Sequence, residues 1–181
     1  MNALLIAGSD TDAGKTVLTA SLAVYWQVYR TDKTLGLMKL IQTGKGDREL
    51  YHQLFKDNPS IEIMAPLCFK TPVAPPLAAA IEGKYIDLGL VWQAFMKLQQ
   101  ECSFVLVEAL GGLGSPVSEE LTVANLAGDW RLPVVLVVPV RLGAIAQAVA
   151  NVALARQSKI LLRGIVLSCV TKSSEVELAN W

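Results

Sequence analysis

Five short apolar runs alternate with longer stretches of helical periodicity along the chain. The runs are rich in valine, isoleucine and leucine without strict alternation, which is typical of parallel strands covered on both faces. They occupy residues 2–8, 34–40, 103–109, 132–140 and 163–170. Helical patterns fall between them, at residues 15–29, 47–56, 87–101, 119–130 and 144–158. This alternation predicts an α/β fold, an open and mostly parallel sheet with helices on both faces.

One segment interrupts the alternation. Residues 70–80 read "KTPVAPPLAAA", and three prolines so close together predict a stiff connection rather than the start of a helix. The chain has 181 residues, a length typical of one domain, and no internal repeat or linker divides it. We therefore expect a single domain over residues 1–181.

Composition excludes several classes of partner. The formal net charge is zero, so a basic field for nucleic acid or a membrane surface is not expected. The longest apolar run, residues 132–140, is far too short to cross a bilayer. The amino terminus has no signal-like segment, and three widely spaced cysteines suggest buried, reduced thiols. These features predict a cytoplasmic protein.

The first strand leads into the sequence "GSDTDAGKT" at residues 8–16. Gly8 and Gly14 bracket five residues, one more than the simple P-loop template, and Lys15 and Thr16 follow. Such a loop turns its backbone N–H groups and the helix N-terminus towards phosphate, while the lysine reaches the terminal phosphates and the threonine holds Mg²⁺. The alternative is a chance glycine-rich turn with a solvated lysine.

Three charged residues fall at the ends of later strands or shortly after them. Lys39 ends the second strand, where it could stabilise charge on a transferred phosphoryl group, or simply extend its stem along the sheet end. Glu108 ends a buried strand, where an unpaired glutamate is rare and a metal ligand is favoured. From spacing alone, Asp47 is equally well explained as a metal ligand or as a helix N-cap.

A further helix start follows the strand at residues 132–140. Gly143 and Ala144 leave free backbone N–H groups that could hold a carboxylate, although an ordinary loop explains them as well.

Taken in order, these motifs are similar to those of one family. The loop "GSDTDAGKT", the lysine of "MKLIQTG", the acid of "VEALGGLGSPVSEE", the segment "PVAPPLAAA" and the run "LPVVLVVPVRLGAIAQA" resemble the dethiobiotin synthetases of the P-loop NTPase superfamily. The resemblance implies a cytoplasmic, homodimeric enzyme that uses ATP and Mg²⁺. It implies that CO2 and 7,8-diaminononanoate are joined through a phosphorylated carbamate into the ureido ring of dethiobiotin.

The same resemblance implies a role for each matching residue. Lys15 and Lys39 would be catalytic. Nucleotide contacts would come from Gly8, Asp12, Ala13, Gly14, Lys15, Thr16, Val17, Glu108 and Ser168. Mg²⁺ would be held by Thr16, Asp47 and Glu108. The diamine substrate would meet Thr11, Asp12 and Thr43, and its carboxylate would meet Leu142, Gly143, Ala144 and Ile145 across a homodimer interface. The segment "PVAPPLAAA" would correspond to the family's proline-rich substrate segment.

The chain also departs from the family pattern. Ser168 stands where an asparagine often reads adenine, which suggests relaxed nucleotide selectivity, and a C-terminal segment of the family is expected to be missing. Two alternatives therefore stay open: a P-loop switch ATPase of the partition or septum-placement type, and a nucleotide-binding remnant with reduced activity. Ser9 and Asp10 count against the switch, because such proteins usually carry a second lysine in that region.

Overall fold

The computed structural model describes residues 2–169, which form eight strands and six helices. The strands are β1 (Ala3–Gly8), β2 (Leu35–Lys39), β3 (Gln42–Thr43), β4 (Ile61–Met64), β5 (Cys68–Phe69), β6 (Phe104–Gly112), β7 (Val134–Pro139) and β8 (Leu162–Ser168). The helices are α1 (Lys15–Tyr29), α2 (Asp47–Phe55), α3 (Pro75–Glu82), α4 (Leu88–Glu101), α5 (Val123–Asp129) and α6 (Ala144–Gln157).

Six strands form one parallel sheet, in the order β4-β2-β6-β1-β7-β8. This sheet confirms the predicted α/β class. The order places β6 between β1 and β2, so the carboxyl ends of these three strands lie side by side. Ligands of open α/β sheets bind at this edge, where the strand order changes direction. The short strand β4 and the two-stranded sheet of β3 and β5 were not predicted.

The two faces of the sheet carry separate apolar clusters. Leu37 and Leu106 pack with Ala23 of α1 and with Phe55 of α2. Strand residues one position away, such as Val107, pack instead with α4 and α5. This alternation follows from the two-residue period of a strand. The resulting three-layer arrangement buries both faces of β1, β2, β6 and β7 and explains why they read as continuous apolar runs. The edge strand β8 differs from the expectation, because most of its residues are exposed.

The prediction for the proline-rich segment was wrong in one respect. Helix α3 begins at Pro75, with Ala74 as its N-cap residue. Proline is favoured at the first helical position, because its missing N–H has no intrahelical partner there and its φ already suits a helix. The residues before it do form an extended connection.

Three smaller expectations also need correction. The strand expected to end at Glu108 continues as β6 to Gly112, so Glu108 lies within the strand. The helix predicted over residues 119–130 spans only Val123–Asp129, and Thr122 caps it by accepting from the Asn125 backbone N–H. The cysteines are free, as expected, but none is fully buried, since Cys68 and Cys102 are half-buried and Cys169 is exposed. Among the described helices, none is long and apolar enough to cross a membrane.

Candidate nucleotide and substrate site

The loop between β1 and α1 has the expected strand–loop–helix context. Gly14 adopts a left-handed φ of 97° directly before the first residue of α1, a conformation that favours glycine. Gly8 lies so close to the loop that a Cβ atom there would approach the Asp10 carbonyl oxygen to 2.6 Å. Both glycines are therefore needed for the loop to fold over the N-terminus of α1.

Lys39 and Glu108 meet because their strands are neighbours. They are paired residues in the parallel register of β2 and β6, and both side chains lie on the sheet face covered by α1 and α2. The Lys39 Nζ atom lies 2.8 Å from Glu108 Oε1. Glu108 is fully buried and Lys39 is 5% exposed, so this ion pair is removed from water.

Two helix starts bring further oxygen atoms to the pair. Asp47 is the first residue of α2, and its Oδ2 atom lies 2.5 Å from Lys39 Nζ. The hydroxyl of Thr16, in the first turn of α1, lies 2.8 Å from Asp47 Oδ1 and 3.0 Å from Glu108 Oε1, so its single proton can be donated to either carboxylate. Gly46, not Asp47, holds the N-cap position of α2. Of the two explanations for Asp47, the geometry therefore favours a metal ligand over an N-cap. Its carboxylate joins Thr16, Lys39 and Glu108 in a group that we call the acidic cluster.

These oxygens fit a magnesium ion. Mg²⁺ prefers hard oxygen ligands and is commonly held by one or two carboxylates together with substrate phosphates. Asp47 and Glu108 supply two carboxylates, and Thr16 supplies a hydroxyl within hydrogen-bond distance of both. No group of three or more His, Cys, Asp or Glu side chains forms a metal site in residues 2–169, so a site here depends on the threonine as well.

Burial and charge shift the pKa values of the cluster in different directions. Burial raises the pKa of Glu108, and the neighbouring Lys39 only partly offsets this. Burial would also raise the pKa of Asp47, but Lys39, helped by Thr16 and Lys15, lowers this pKa overall. Burial would lower the pKa of Lys39, yet Glu108 and Asp47 raise it overall. Lys39 therefore stays a cation between the two acids.

The pKa of Lys15 is shifted in the direction opposite to that of Lys39. Burial and the nearby charge of Lys39 lower its pKa, and its Nζ atom donates to the Asp10 carbonyl oxygen at 3.1 Å. A polyanionic ligand would reverse this tendency, because phosphate favours the charged ammonium. Lys15 thus has the position and electrostatics of a phosphate-binding lysine.

Tyr51 is a member of the cluster that the sequence analysis missed. Its side chain is fully buried, and its hydroxyl donates to Glu108 Oε2. Asp47 and Tyr51 are four residues apart in α2, so they lie on the same helix face. This spacing is visible in the sequence, but the contact depends on α2 packing against β6.

A cavity of about 420 Å³ opens beside these groups. Nine of its lining residues carry predicted roles, namely Thr11, Asp12, Gly14, Lys15, Thr16, Lys39, Thr43, Asp47 and Glu108. The structure thus brings together the predicted phosphate, metal and diamine residues in one space. Its volume is within the range of small-molecule sites.

Other lining residues were not predicted. The extended segment before α3 contributes Pro72, Val73 and Ala74, and the loop after β6 contributes Ser115. Lys45 adds a third lysine to the wall. Composition alone predicts only a stiff connection for the proline-rich segment, whereas the family resemblance matches it to a substrate segment. Its place at the cavity depends on how it packs against the sheet edge.

Several predicted residues lie outside the cavity wall as the described residues form it. Gly8 and Ala13 shape the loop from within, while Val17 is 70% exposed. Ser168 lies at the end of β8 beside the loop, since a Cβ atom on Gly14 would approach its Oγ atom to 2.5 Å. The predicted nucleotide contacts of these residues stay predictions.

The predicted carboxylate-binding segment, residues 142–145, is not part of the cavity lining. Leu142 is fully exposed and Ile145 is 61% exposed. Gly143, with a φ of 89°, is the N-cap residue of α6, and Ala144 is buried against β7. The prediction of a free N–H at Ala144 was wrong, because this N–H donates to the Arg141 carbonyl oxygen at 3.0 Å. Residues 142–145 therefore do not join the cavity formed by the described part of their own chain.

Asp10 connects the loop to this segment. Its carboxylate accepts from the Thr11 backbone N–H at 2.7 Å and forms an ion pair with Arg141. Gln147 of α6 also donates to it, at 3.4 Å. The Asp10 carboxylate is therefore directed towards α6, and it is not a member of the acidic cluster.

Comparisons with known proteins agree with this picture. A family model described as an AAA domain matches residues 2–180. The chain is 69% identical to the ATP-dependent dethiobiotin synthetase of Gloeothece citriformis over 181 residues, covering all of this chain and 80% of the relative. It is 57% identical to the ATP-dependent dethiobiotin synthetase of Synechocystis sp., with 98% and 75% covered.

Two solved structures share the fold at low sequence identity. The kinase domain of the Escherichia coli tyrosine kinase ETK matches with a TM-score of 0.55 and 16% identity, covering 94% of this chain and 68% of its own. A plasmid partition protein from Borrelia burgdorferi matches with a TM-score of 0.61 and 11% identity, covering 97% and 85%. These likenesses support the fold alone, whereas the sequence identities above define the family. This chain belongs to the ATP-dependent dethiobiotin synthetase family.

Proposed function

We propose that this chain makes dethiobiotin from 7,8-diaminononanoate, CO2 and ATP, releasing ADP and phosphate. One amine of the substrate takes up CO2 as a carbamate, the carbamate accepts the terminal phosphoryl group of ATP, and the second amine closes the ring as phosphate leaves. The single observation that carries this proposal is the shared cavity. The residues expected to bind phosphate and magnesium line the same space of about 420 Å³ as Thr11, Asp12 and Thr43, which are expected to meet the diamine.

The residues of the cavity suit phosphoryl transfer, which depends on positioning and neutralisation of charge. Lys15 would neutralise the terminal phosphates, and Lys39 would stabilise charge on the transferred group and the carbamate oxygens. Thr16, Asp47 and Glu108 would hold Mg²⁺, which supplies Lewis-acid stabilisation of phosphate oxygens when bound. Asp12 would attract a substrate ammonium group, and Thr43 would hydrogen-bond the substrate beside it.

The exposed segment Leu142–Ile145 has a place in the same proposal. The backbone N–H groups at the start of α6, other than that of Ala144, which donates to the Arg141 carbonyl oxygen at 3.0 Å, would bind the carboxylate of a substrate held by a second copy of the chain, within a homodimer. The full exposure of Leu142 supports this proposal, because the side chain is available to a neighbouring subunit.

The proposal is tested by measuring phosphate release from ATP. We expect release only when diaminononanoate and bicarbonate are both present, together with a product of the mass of dethiobiotin. Lys39→Ala is the matched inactive control. Hydrolysis that needs neither substrate, or that responds to a protein partner instead, would overturn the proposal and favour the switch ATPase. ATP binding without any turnover would favour the nucleotide-binding remnant.

A further inference from the structure

Tyr51 contacts the acidic cluster but has no role in the function proposed above. It is fully buried, whereas Tyr25, Tyr29 and Tyr85 are 51%, 68% and 85% exposed. A buried tyrosine hydroxyl usually has a hydrogen-bond partner, and here the partner is Glu108. Tyr51 is therefore a tyrosine whose hydroxyl is committed to a single carboxylate.

The two oxygens of Glu108 have different surroundings. Oε1 accepts from Lys39 Nζ at 2.8 Å and from Thr16 Oγ1 at 3.0 Å. Oε2 accepts from the Tyr51 hydroxyl. The terminal torsion of a glutamate is broad, so a carboxylate without partners on both oxygens can rotate. The tyrosine fixes that rotation and keeps Oε1 directed at Thr16 and Lys39.

Helix α2 couples this tyrosine to a second acid of the cluster. Asp47 and Tyr51 are one helical turn apart, and Phe55 lies one turn further on the same face. Tyr51 and Phe55 are both buried among the apolar residues of the α1 and α2 face. The packing that places the Asp47 carboxylate thus also places the hydroxyl that orients Glu108.

We propose that Tyr51 is a positioning residue for the candidate magnesium site, acting through its hydrogen bond to Glu108. This inference rests on the proposed function, since that reaction requires magnesium and ATP together. Groups that orient metal ligands from outside the ligand set contribute about 10- to 100-fold to metal affinity. Tyr51 makes such a contact, and the other three tyrosines are exposed at the surface.

The first test is the variant Tyr51→Phe, which keeps the buried ring and removes only the hydroxyl. ATP binding is measured by calorimetry at increasing Mg²⁺ concentration and also with EDTA. We expect the Mg²⁺ concentration that gives half of the metal effect to rise by about 10- to 100-fold, with ATP affinity in EDTA unchanged. Tyr25→Phe, which removes an exposed hydroxyl, is the matched control. A change of less than twofold in the metal requirement of Tyr51→Phe would overturn the proposal.

The second test does not depend on whether that variant folds. In a chain carrying Tyr25→Phe, Tyr29→Phe and Tyr85→Phe, Tyr51 is the single tyrosine, and 3-fluorotyrosine labelling gives one ¹⁹F resonance. We expect Mg²⁺ to shift this resonance in the ATP complex beyond any shift caused by ATP alone. A resonance that Mg²⁺ leaves unmoved would contradict the positioning role.

Neither readout uses the diamine or measures turnover. A failure of the proposed reaction, seen as absent diamine-dependent phosphate release, is therefore distinguishable from a failure of the Tyr51 proposal. A normal reaction with an unchanged metal requirement in Tyr51→Phe would overturn the Tyr51 role alone.

Discussion

The acidic cluster and the Leu142–Ile145 segment both lie near the phosphate loop, but they are built in opposite ways. In the cluster, Lys39 and Glu108 are almost wholly removed from water and each has several polar partners. In the segment, Leu142 is fully exposed. The acidic cluster is completed by contacts within the chain, whereas Leu142 and Ile145 of the segment are exposed to solvent. A substitution in the cluster should therefore affect folding and chemistry together, whereas one at the exposed Leu142 should affect binding alone.

The largest effect is expected for Lys39→Ala. This change leaves Glu108 and Asp47 close together without their shared cation, and losing one partner of a buried ion pair costs about 3–5 kcal/mol of stability. We expect the free energy of unfolding in urea to fall by about that amount and substrate-dependent phosphate release to stop.

Lys97→Ala is the matched control for that change. The Lys97 Nζ atom lies 3.4 Å from Glu62 Oε1 at an exposed position. An ion pair at such a position contributes only about 0.2–1 kcal/mol to stability. Equal losses of stability in the two variants would show that the buried cluster is no more important to the fold than a surface pair.

A smaller and more selective effect is expected for Leu142→Asp. Because the side chain is fully exposed, the free energy of unfolding should change by no more than about 0.5 kcal/mol. If the segment binds the substrate carboxylate, an added negative charge should raise the KM for diaminononanoate at least about tenfold, or about 1.4 kcal/mol, with ATP affinity unchanged. Steady-state kinetics and calorimetry measure the two quantities.

Leu161→Asp places the same charge at another exposed leucine and should change neither quantity. A KM for diaminononanoate that stays the same in Leu142→Asp would remove the segment from the substrate site.

The smallest effect is a pH dependence of ATP binding through Lys15. In the free protein, burial and Lys39 lower its pKa, and bound phosphate should raise it again. ATP affinity should thus be greatest below the lowered pKa of the free protein and fall as pH rises from that pKa towards the raised pKa of the complex. One titrating group limits this fall to about tenfold per pH unit.

Calorimetry at several pH values, in buffers with different ionisation enthalpies, measures the expected uptake of a proton. Lys15→Arg is the matched control, since arginine stays charged throughout this range and should remove the dependence on pH. The same pH dependence in both proteins would assign the titration to another group.

Local features of this chain could be recognised from its pattern. The helix predicted over residues 15–29 coincides with α1, because its apolar spacing and the preceding glycine are local signals. The end of β2 at Lys39 was also predictable. The predicted end at Glu108 was wrong, because β6 continues to Gly112, but the common edge followed from the rule that the carboxyl ends of parallel strands meet at one edge of a sheet.

Other features depended on contacts between distant segments. The hydrogen bond from Tyr51 to Glu108 joins residues 57 positions apart, and a tyrosine in a polar helix gives no sign of it. The ion pair of Asp10 with Arg141 was missed for the same reason. The place of residues 72–75 at the cavity was indicated only by the family resemblance of that segment, not by its pattern. Proline composition and charge alone do not specify what a segment packs against.

The amino-acid sequence by itself determined the alternation of strands and helices, the glycine loop ending in Lys15 and Thr16, and the resemblance that identified the family. These are properties of neighbouring residues, namely hydrophobic period, backbone freedom and motif spacing. Only the tertiary structure decided that β6 lies beside β2, that Lys39 lies between Asp47 and Glu108, and that Asp10 turns towards α6. Strand order and helix packing set these distances, because they are fixed by how whole buried faces fit together.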